Sequence, residues 1–172
     1  MKNLKIQQKS GQCGVYTLAN LTRKQRIIDK YGDDQRFIPS GDYELNKILE
    51  KEKFPFRIHP VISSINWKRN IPIAFLSDII KDFTDSCPKY AFVFILGVQV
   101  GCDEFGMHSV GLVCIGERYF LTDPMFPKFV EIENIEQIDS LYQYVNSISS
   151  FVNDKCKYVS FKTGFFKELI TE

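Results

Sequence analysis

The hydrophobic spacing of this chain changes from helical to strand-like about halfway along its length. Three segments of the first half carry apolar residues at helical spacing: 13–31, from 40 or 42 to 49, and 72–83. Three segments of the second half are rich in β-branched and aromatic residues: 90–100, 108–115 and 118–123. Helices that precede a mostly antiparallel sheet predict an α+β fold.

Four further segments complete the predicted order of elements. They are an extended segment at 54–62, a short strand at 129–133, a helix at 134–152 and a closing strand at 157–162. No internal repeat or low-complexity linker interrupts the sequence, and 172 residues suffice for one hydrophobic core. We therefore expect a single domain over residues 1–172.

Composition and charge narrow the classes of partner. Hydrophobic residues make up 44% of the chain and charged residues 25%, which is typical of globular proteins. The net charge of +1 gives no electrostatic reason to expect nucleic acid or an anionic membrane as partner. The longest apolar run, at 90–100, is about half as long as a membrane-spanning helix, so no membrane segment is expected.

The cysteines and the first residues bear on the compartment. The five cysteines are odd in number and include no Cys-x-x-Cys pair, which argues against a disulfide framework and a zinc site. No apolar stretch follows the lysines near Met1, so we expect no secretory signal peptide. The chain is predicted to act in the cytoplasm or after export without such a signal, and to need no metal or cofactor.

Cys13 opens the first predicted helix, between Gly11 and Gly14. Free backbone amides and the helix dipole favour a thiolate over a thiol at a helix start. The two glycines add little bulk, so a substrate carbonyl could approach the sulfur. A cysteine at the start of an apolar helix is more commonly a packing residue, however, so the hypothesis of a nucleophile needs further support.

An acyl-transfer nucleophile also requires donors for the oxyanion that forms on the attacked carbonyl. The backbone amide of Cys13 can supply one donor. Gln7 and Gln8 precede the cysteine by a few positions, and the side-chain amide of either could fold back beside the sulfur. Spacing alone leaves the choice between them open.

The support comes from His108 and Asp123, which flank the predicted hairpin in the second half. Symmetrical pairing about a turn at 116–117 is expected to place His108 opposite Asp123, with Val110 opposite Leu121. Side chains of such cross-strand pairs are about 5 Å apart at Cβ, so a carboxylate can hold the imidazole. Together with Cys13, these residues predict a nucleophile, a base and an orienting carboxylate.

Other candidates fit the sequence less well. The second histidine of the chain, His59, precedes a proline in an extended segment and is expected to be structural. Cys102, Asp103 and Glu104 lie in one predicted loop, but the repeated Cys/His spacing of a closed zinc site is missing.

In this chain order of Gln7, Cys13, His108 and Asp123, the sequence resembles the papain-like cysteine peptidase superfamily. The Cys13-Gly14 pair and the Asp123-Pro124 ending are similar to bacterial peptidases that remove double-glycine leaders. The segment from Cys13 through Asn20 and Leu21, with Gln8 upstream, is similar to the Josephin deubiquitinases. The chain differs from each group in one respect. Josephin enzymes generally have Asn where this chain has Asp123, and leader peptidases are usually fused to a transporter, which is not seen in this sequence.

The resemblance implies a papain-like fold, with the nucleophile at a helix start packed on the sheet, and a thiol protease activity. It further implies a protein or peptide substrate, such as ubiquitin or a peptide with a Gly-Gly pair. A freestanding domain of this size is also similar to pathogen effectors that act on host proteins. Three alternatives stay open: an acyl transferase that uses the same triad in the manner of a transglutaminase, a non-catalytic binding module on this scaffold, and an amidase whose target is not a protein.

Overall fold

A computed structural model of the chain describes residues 12–33, 42–63, 77, 78, 80, 81, 90–100, 104–115, 117–126, 129–141 and 145–153. In chain order its elements are α1 (Cys13–Thr22), α2 (Gln25–Tyr31), α3 (Asp42–Lys51), β1 (Phe56–Ser63), β2 (Tyr90–Val100), β3 (Glu104–Ile115), β4 (Arg118–Thr122), β5 (Val130–Ile132), α4 (Gln137–Leu141) and β6 (Val145–Asn153). Three helices precede most of the strands, and the predicted α+β class is confirmed.

The strands of the described residues form one sheet in the order β1-β6-β2-β3-β4-β5. Every neighbouring pair runs antiparallel. Strand β3 lies inside this sheet, with β2 on one side and β4 on the other. Strand β2 pairs with β3 over residues 104–114 and β4 pairs with it over residues 111–115, so His108 lies on the part of β3 that β2 holds.

Helices α1, α2 and α3 pack on the sheet around a shared hydrophobic core. Every residue of α1 from Cys13 through Leu21 is buried. The core side chains come from all three helices and from three strands: Val15, Tyr16, Leu18, Ala19, Leu21, Ile27, Ile28, Leu45, Ile48, Leu49, Ile58, Val113 and Phe120. Because α1 is enclosed on nearly all sides, its position relative to β3 is fixed by packing.

The single helix predicted over 13–31 is two helices in the structure. Arg23 adopts a left-handed backbone conformation with φ 53°, which ends α1 at Thr22. The amides of Arg23 and Lys24 bond back to the carbonyls of Asn20 and Ala19, at 3.3 and 3.2 Å. This satisfies the last carbonyls of α1 and turns the chain into α2.

The helix predicted over 134–152 is wrong beyond its first part. Helix α4 ends at Leu141, and residues 145–153 form β6 between β1 and β2. The segment is rich in Ser, Asn and β-branched residues, which are weak helix formers. Pairing with a strand on each side supplies backbone hydrogen bonds that the local apolar spacing does not reveal.

The predicted register of the hairpin is also wrong, by two residues. Ile115 pairs with Arg118, so Leu112 lies opposite Leu121 and the ladder ends at Gly111 and Thr122. Continuing this register would bring Asp123 opposite Val110, with His108 at the diagonal position. A shift of two residues keeps side chains on the same face of the sheet, so the predicted neighbours remain neighbours.

The other predicted elements divide between confirmed and untested. The extended segment at 54–62 corresponds to β1, the strand at 129–133 to β5, and the helix from residue 42 to α3. Strand β2 has the predicted bounds, whereas β3 begins earlier, at Glu104. Residues 77, 78, 80 and 81 are helical, as the prediction for 72–83 requires. The rest of that segment and the strand at 157–162 lie outside the described residues.

Among the helices that the structure describes, none has the length and apolar character needed to cross a membrane.

Candidate active site

Cys13 is the first residue of α1, and Gln12 occupies the N-cap position before it. The first helical hydrogen bond runs from the Tyr16 amide to the Gln12 carbonyl, at 3.2 Å. The earlier amides of the first turn have no partner within the helix, and the Gln12 side chain makes no capping hydrogen bond. The cysteine therefore lies at the positive end of the helix dipole, as the sequence predicted.

The sulfur of Cys13 lies against β3. The backbone amide of Ser109 donates a hydrogen bond to Cys13 Sγ over 3.2 Å, although the two residues are 96 positions apart. Cys13 is buried, with 6% of its surface exposed. Contact with the residue directly after His108 brings the sulfur to the base that the sequence predicted.

His108 links Cys13 to Asp123. Its Nε2 lies 2.8 Å from Asp123 Oδ1, and the two side chains are 20% and 7% exposed. The imidazole also shares a hydrogen bond with the Cys13 side chain. Since Nε2 is engaged by the carboxylate, Nδ1 is the ring nitrogen left for the sulfur.

Asp123 is held in place by a turn that directly follows β4. Its Oδ1 accepts a hydrogen bond from the Met125 amide at 2.9 Å, and its carbonyl accepts one from the Phe126 amide at 2.9 Å. An aspartate at the first position of a turn commonly bonds the backbone two residues on. The carboxylate is thus oriented toward His108 before any substrate binds.

Gly111 allows α1 to approach β3 closely. A Cβ atom at this position would lie 2.8 Å from Thr122 Cγ2 and 2.9 Å from both δ-carbons of Leu21. Real Cβ atoms do not come so close to other carbons, so only glycine fits without displacing a neighbour. Glycine therefore sets the distance between the helix that carries Cys13 and the strand that carries His108.

Two opposed influences determine the ionisation of Cys13. Burial, the largest influence, raises the pKa of the thiol. The hydrogen bonds with His108 and Ser109 and the positive charge of His108 lower this pKa, and together they outweigh burial. The pKa of Cys13 therefore lies below its ordinary value of 9.0.

His108 is affected in the opposite direction. Burial, again the largest influence, lowers the pKa of the imidazole. The hydrogen bond to Asp123, the hydrogen bond to Cys13 and the negative charges of both groups outweigh it and raise the pKa to about 9. Below about pH 9 the ring keeps its proton, so the arrangement favours a thiolate beside an imidazolium.

The remaining candidates do not join this group. His59 is an exposed residue of β1, which lies at one edge of the sheet formed by the described strands. Cys114 is fully buried on β3, and burial raises the pKa of its thiol. Gln7, Gln8, Cys102 and Asp103 lie outside the described residues. Within the parts of the chain that the structure describes, no three metal-ligating side chains are grouped.

The sequence did not point to Ser109, Thr17 or Gly111 as parts of the site. Ser109 acts through its backbone amide, which every residue except proline carries. The presence of a serine at this position therefore does not indicate a role in the site. Its place directly after His108 was the only indication. Among the described residues, the buried side-chain oxygen of Gln12, next to the cysteine, has no hydrogen-bond partner.

No protein-family model matches this chain, and no curated protein matches it in sequence.

Proposed function

We propose that this protein is a cysteine peptidase or isopeptidase of the papain-like type, with Cys13 as nucleophile, His108 as general base and acid, and Asp123 as the orienting residue. The observation that carries the proposal is the position of His108, which contacts the Cys13 thiol and, at 2.8 Å, the carboxylate of Asp123. A buried cysteine at a helix start, packed on an antiparallel sheet that carries the base, supports a papain-like arrangement.

In the acylation step the Cys13 thiolate attacks the carbonyl carbon of the scissile bond, and the carbonyl electrons move to its oxygen. When the tetrahedral intermediate collapses, the carbon–nitrogen bond breaks and His108 gives its proton to the leaving amine. The products are a free amine and a thioester on Cys13. His108 is then neutral and ready to act as a base.

In the deacylation step a water molecule attacks the thioester carbon while His108 takes one of its protons. The carbon–sulfur bond breaks, the carboxylic acid leaves, and the thiolate forms again beside the imidazolium. Asp123 stabilises the imidazolium in both steps because its carboxylate accepts from Nε2. The start of α1 supplies an amide donor for the oxyanion, and we assign the second donor to Gln7, with Gln8 as the alternative.

The burial of Cys13 supports a substrate with small residues at the cleaved bond. Only 6% of the residue is exposed, so a bulky side chain next to the scissile carbonyl would meet the walls around the sulfur. Glycine avoids that conflict. We therefore propose a glycine-ended acyl group, such as the C-terminus of ubiquitin or the leader side of a Gly-Gly peptide.

A ubiquitin probe with a C-terminal electrophile tests the proposal directly. We expect a covalent adduct with the wild-type protein and none with Cys13→Ala, while Cys114→Ala labels like wild type. An adduct that persists in Cys13→Ala would overturn the assignment of the nucleophile. Labelling by a short Gly-Gly electrophile but not by the ubiquitin probe would favour peptide processing. Product masses with and without a competing amine distinguish hydrolysis from acyl transfer.

A further inference from the structure

One face of α1 takes the place of a sheet strand beside β3. Backbone groups along a strand point alternately to its two neighbours, so Ser109 and Gly111 point to the same edge of β3. Gly111 is paired there with Thr122, the last residue of β4. The next position of β4 that could serve Ser109 is Pro124, which has no amide proton and lies in the turn after the strand.

The backbone of Ser109 is instead held by α1 at two atoms. Its amide donates to Cys13 Sγ at 3.2 Å, and its carbonyl accepts from Thr17 Oγ1 at 2.8 Å. Cys13 and Thr17 are four residues apart, so they lie one turn apart on the same face of the helix. Both contacts are buried, and Thr17 has no exposed surface.

We propose that Thr17 is a positioning residue for the nucleophile: its hydroxyl anchors the Ser109 carbonyl so that the Ser109 amide stays on the sulfur of Cys13. The inference rests on the proposed role of Cys13. An amide directed at the sulfur favours the thiolate, as hydrogen bonds to a charged form do. It also favours departure of the thiolate in deacylation, since the same hydrogen bond forms again when the carbon–sulfur bond breaks.

This role has a consequence for the pH dependence of the thiol. The titratable groups that act on Cys13 among the described residues are His108 on β3 and, through it, Asp123 after β4. The Thr17 hydroxyl donates its hydrogen bond to the Ser109 carbonyl and not to His108 or Asp123. Removing that hydroxyl should therefore leave the His108 and Asp123 side chains in place. A change in the titration of Cys13 would then come from the Ser109 contact.

The test is the rate of iodoacetamide labelling of Cys13 in the full chain against pH, followed by mass spectrometry of the tryptic peptide 10–23, which contains no other cysteine. In Thr17→Val we expect the midpoint to rise by about one pH unit. The rate well below the midpoint then falls about threefold and the limiting rate at high pH rises about threefold, because a more basic thiolate is rarer but more nucleophilic.

Two variants separate the hydroxyl from packing. Thr17→Ser keeps the hydroxyl and is expected to keep the wild-type profile. Thr22→Val is the matched control, because among the described residues Thr22 Oγ1 bonds within α1, to Leu18 O at 2.7 Å and Ala19 O at 3.5 Å. If Thr17→Val does not fold, Thr17→Ala is used in its place, because the alanine side chain is smaller than that of valine.

The outcomes also separate this inference from the proposed function. A Thr17→Val profile equal to that of wild type, with a wild-type midpoint well below that of an ordinary thiol, would overturn the positioning role and leave the peptidase proposal intact. If the labelling midpoint shifted equally in Thr17→Ser, the shift would come from packing and not from the hydroxyl, and the positioning role would again be overturned. A wild-type Cys13 that titrates like an ordinary thiol would remove the peptidase proposal itself.

Discussion

Cys13 and Cys114 are both buried cysteines associated with β3, but Cys13 contacts the middle of that strand at Ser109, Cys114 lies next to its end, and the two differ in what surrounds the sulfur. Cys114 has no exposed surface, and burial raises the pKa of its thiol. Cys13 is almost as deeply buried, yet its pKa is lowered. Burial is the largest influence on both, so the difference must come from the other groups around Cys13.

Those groups are donors and a positive charge. The amide of Ser109 and the imidazole of His108 both bond to the sulfur of Cys13, whereas burial is the one influence resolved for Cys114. A buried thiol without such partners is inert, and a buried thiol with them becomes a thiolate held in a fixed position. The difference between the two thiols thus depends on the groups that His108 and Ser109, in the middle of β3, direct at the sulfur of Cys13.

Removing His108 is expected to have the largest effect, because it makes Cys13 resemble Cys114. In His108→Ala we expect labelling by the electrophilic ubiquitin probe to fall about 10²- to 10⁴-fold, the usual contribution of general acid–base catalysis. Iodoacetamide labelling of Cys13 near neutral pH should also slow, since the imidazolium no longer stabilises the thiolate.

His59→Ala is the matched control for that variant, because His59 is the other histidine of the chain and is exposed on an edge strand. It is expected to label at the wild-type rate. Equal labelling of His108→Ala and wild type would eliminate the proposed mechanism.

Asp123→Asn is expected to have a smaller effect, since an amide oxygen can still accept from the imidazole. The loss of the carboxylate charge should lower the pKa of His108 from about 9, so labelling declines at a lower pH on the alkaline side. We expect a fall in rate of about 10- to 100-fold, as is typical for a residue that orients another. The readout is the labelling rate measured across the pH range.

The same variant gives a stability test. The folded pKa of His108 exceeds its ordinary value of 6.5, so the stabilisation it contributes is complete below pH 6.5 and is lost as pH rises through about 9. Denaturant unfolding should show the wild-type protein losing more free energy of unfolding across this interval than Asp123→Asn. Parallel pH profiles of stability for the two proteins would contradict the charge interaction.

The local parts of this structure were predictable from the sequence. Helices α1 and α3 and strands β2 and β4 follow from apolar spacing, and the approach of His108 to Asp123 follows from the hairpin. The prediction that the two side chains meet holds although the predicted register is wrong by two residues, because a shift of two residues keeps each side chain on the same face of the sheet. Chemistry that depends on side chains of local elements is therefore visible in the sequence.

Contacts made by the backbone and between distant segments were not predictable. Strand β6 was missed because its pairing with β1 and β2 decides its conformation, and apolar spacing does not record pairing. The Ser109 contact was missed because it depends on where β4 stops and on which face α1 presents. Both facts depend on the packed structure. There Pro124 has no amide proton to pair with Ser109, and the Ser109 backbone bonds to α1 instead.

Gly111→Ala acts between the two cysteines and is expected to affect only one of them. The new methyl group would meet the side chains of Leu21 and Thr122 at under 3 Å, so α1 must shift away from β3. Overpacking of this kind destabilises a protein by about 1–3 kcal/mol. Labelling of Cys13 by iodoacetamide near neutral pH should slow several-fold, measured with the free energy of unfolding, while Cys114 stays protected in the folded protein.

Leu21→Val is the companion change, because valine lacks the δ-carbons that the new methyl group would meet. In the double variant we expect part of the labelling rate to return. If Gly111→Ala lowers stability but leaves the labelling of Cys13 unchanged, the close approach at Gly111 does not govern the position of the sulfur.

Cys114→Ala is expected to have the smallest effect, and it tests the other half of the comparison. The thiol of Cys114 has no exposed surface, so its removal leaves a small cavity that should destabilise the protein by about 1 kcal/mol. Labelling of Cys13 by the ubiquitin probe and by iodoacetamide should keep the wild-type rate, because the groups that lower its pKa belong to His108 and Ser109, six and five residues before Cys114 on β3. If Cys114 in the folded wild-type protein reacted with iodoacetamide as fast as Cys13 near neutral pH, donors on the sulfur would not be what distinguishes the two, and the activation of Cys13 would need another cause.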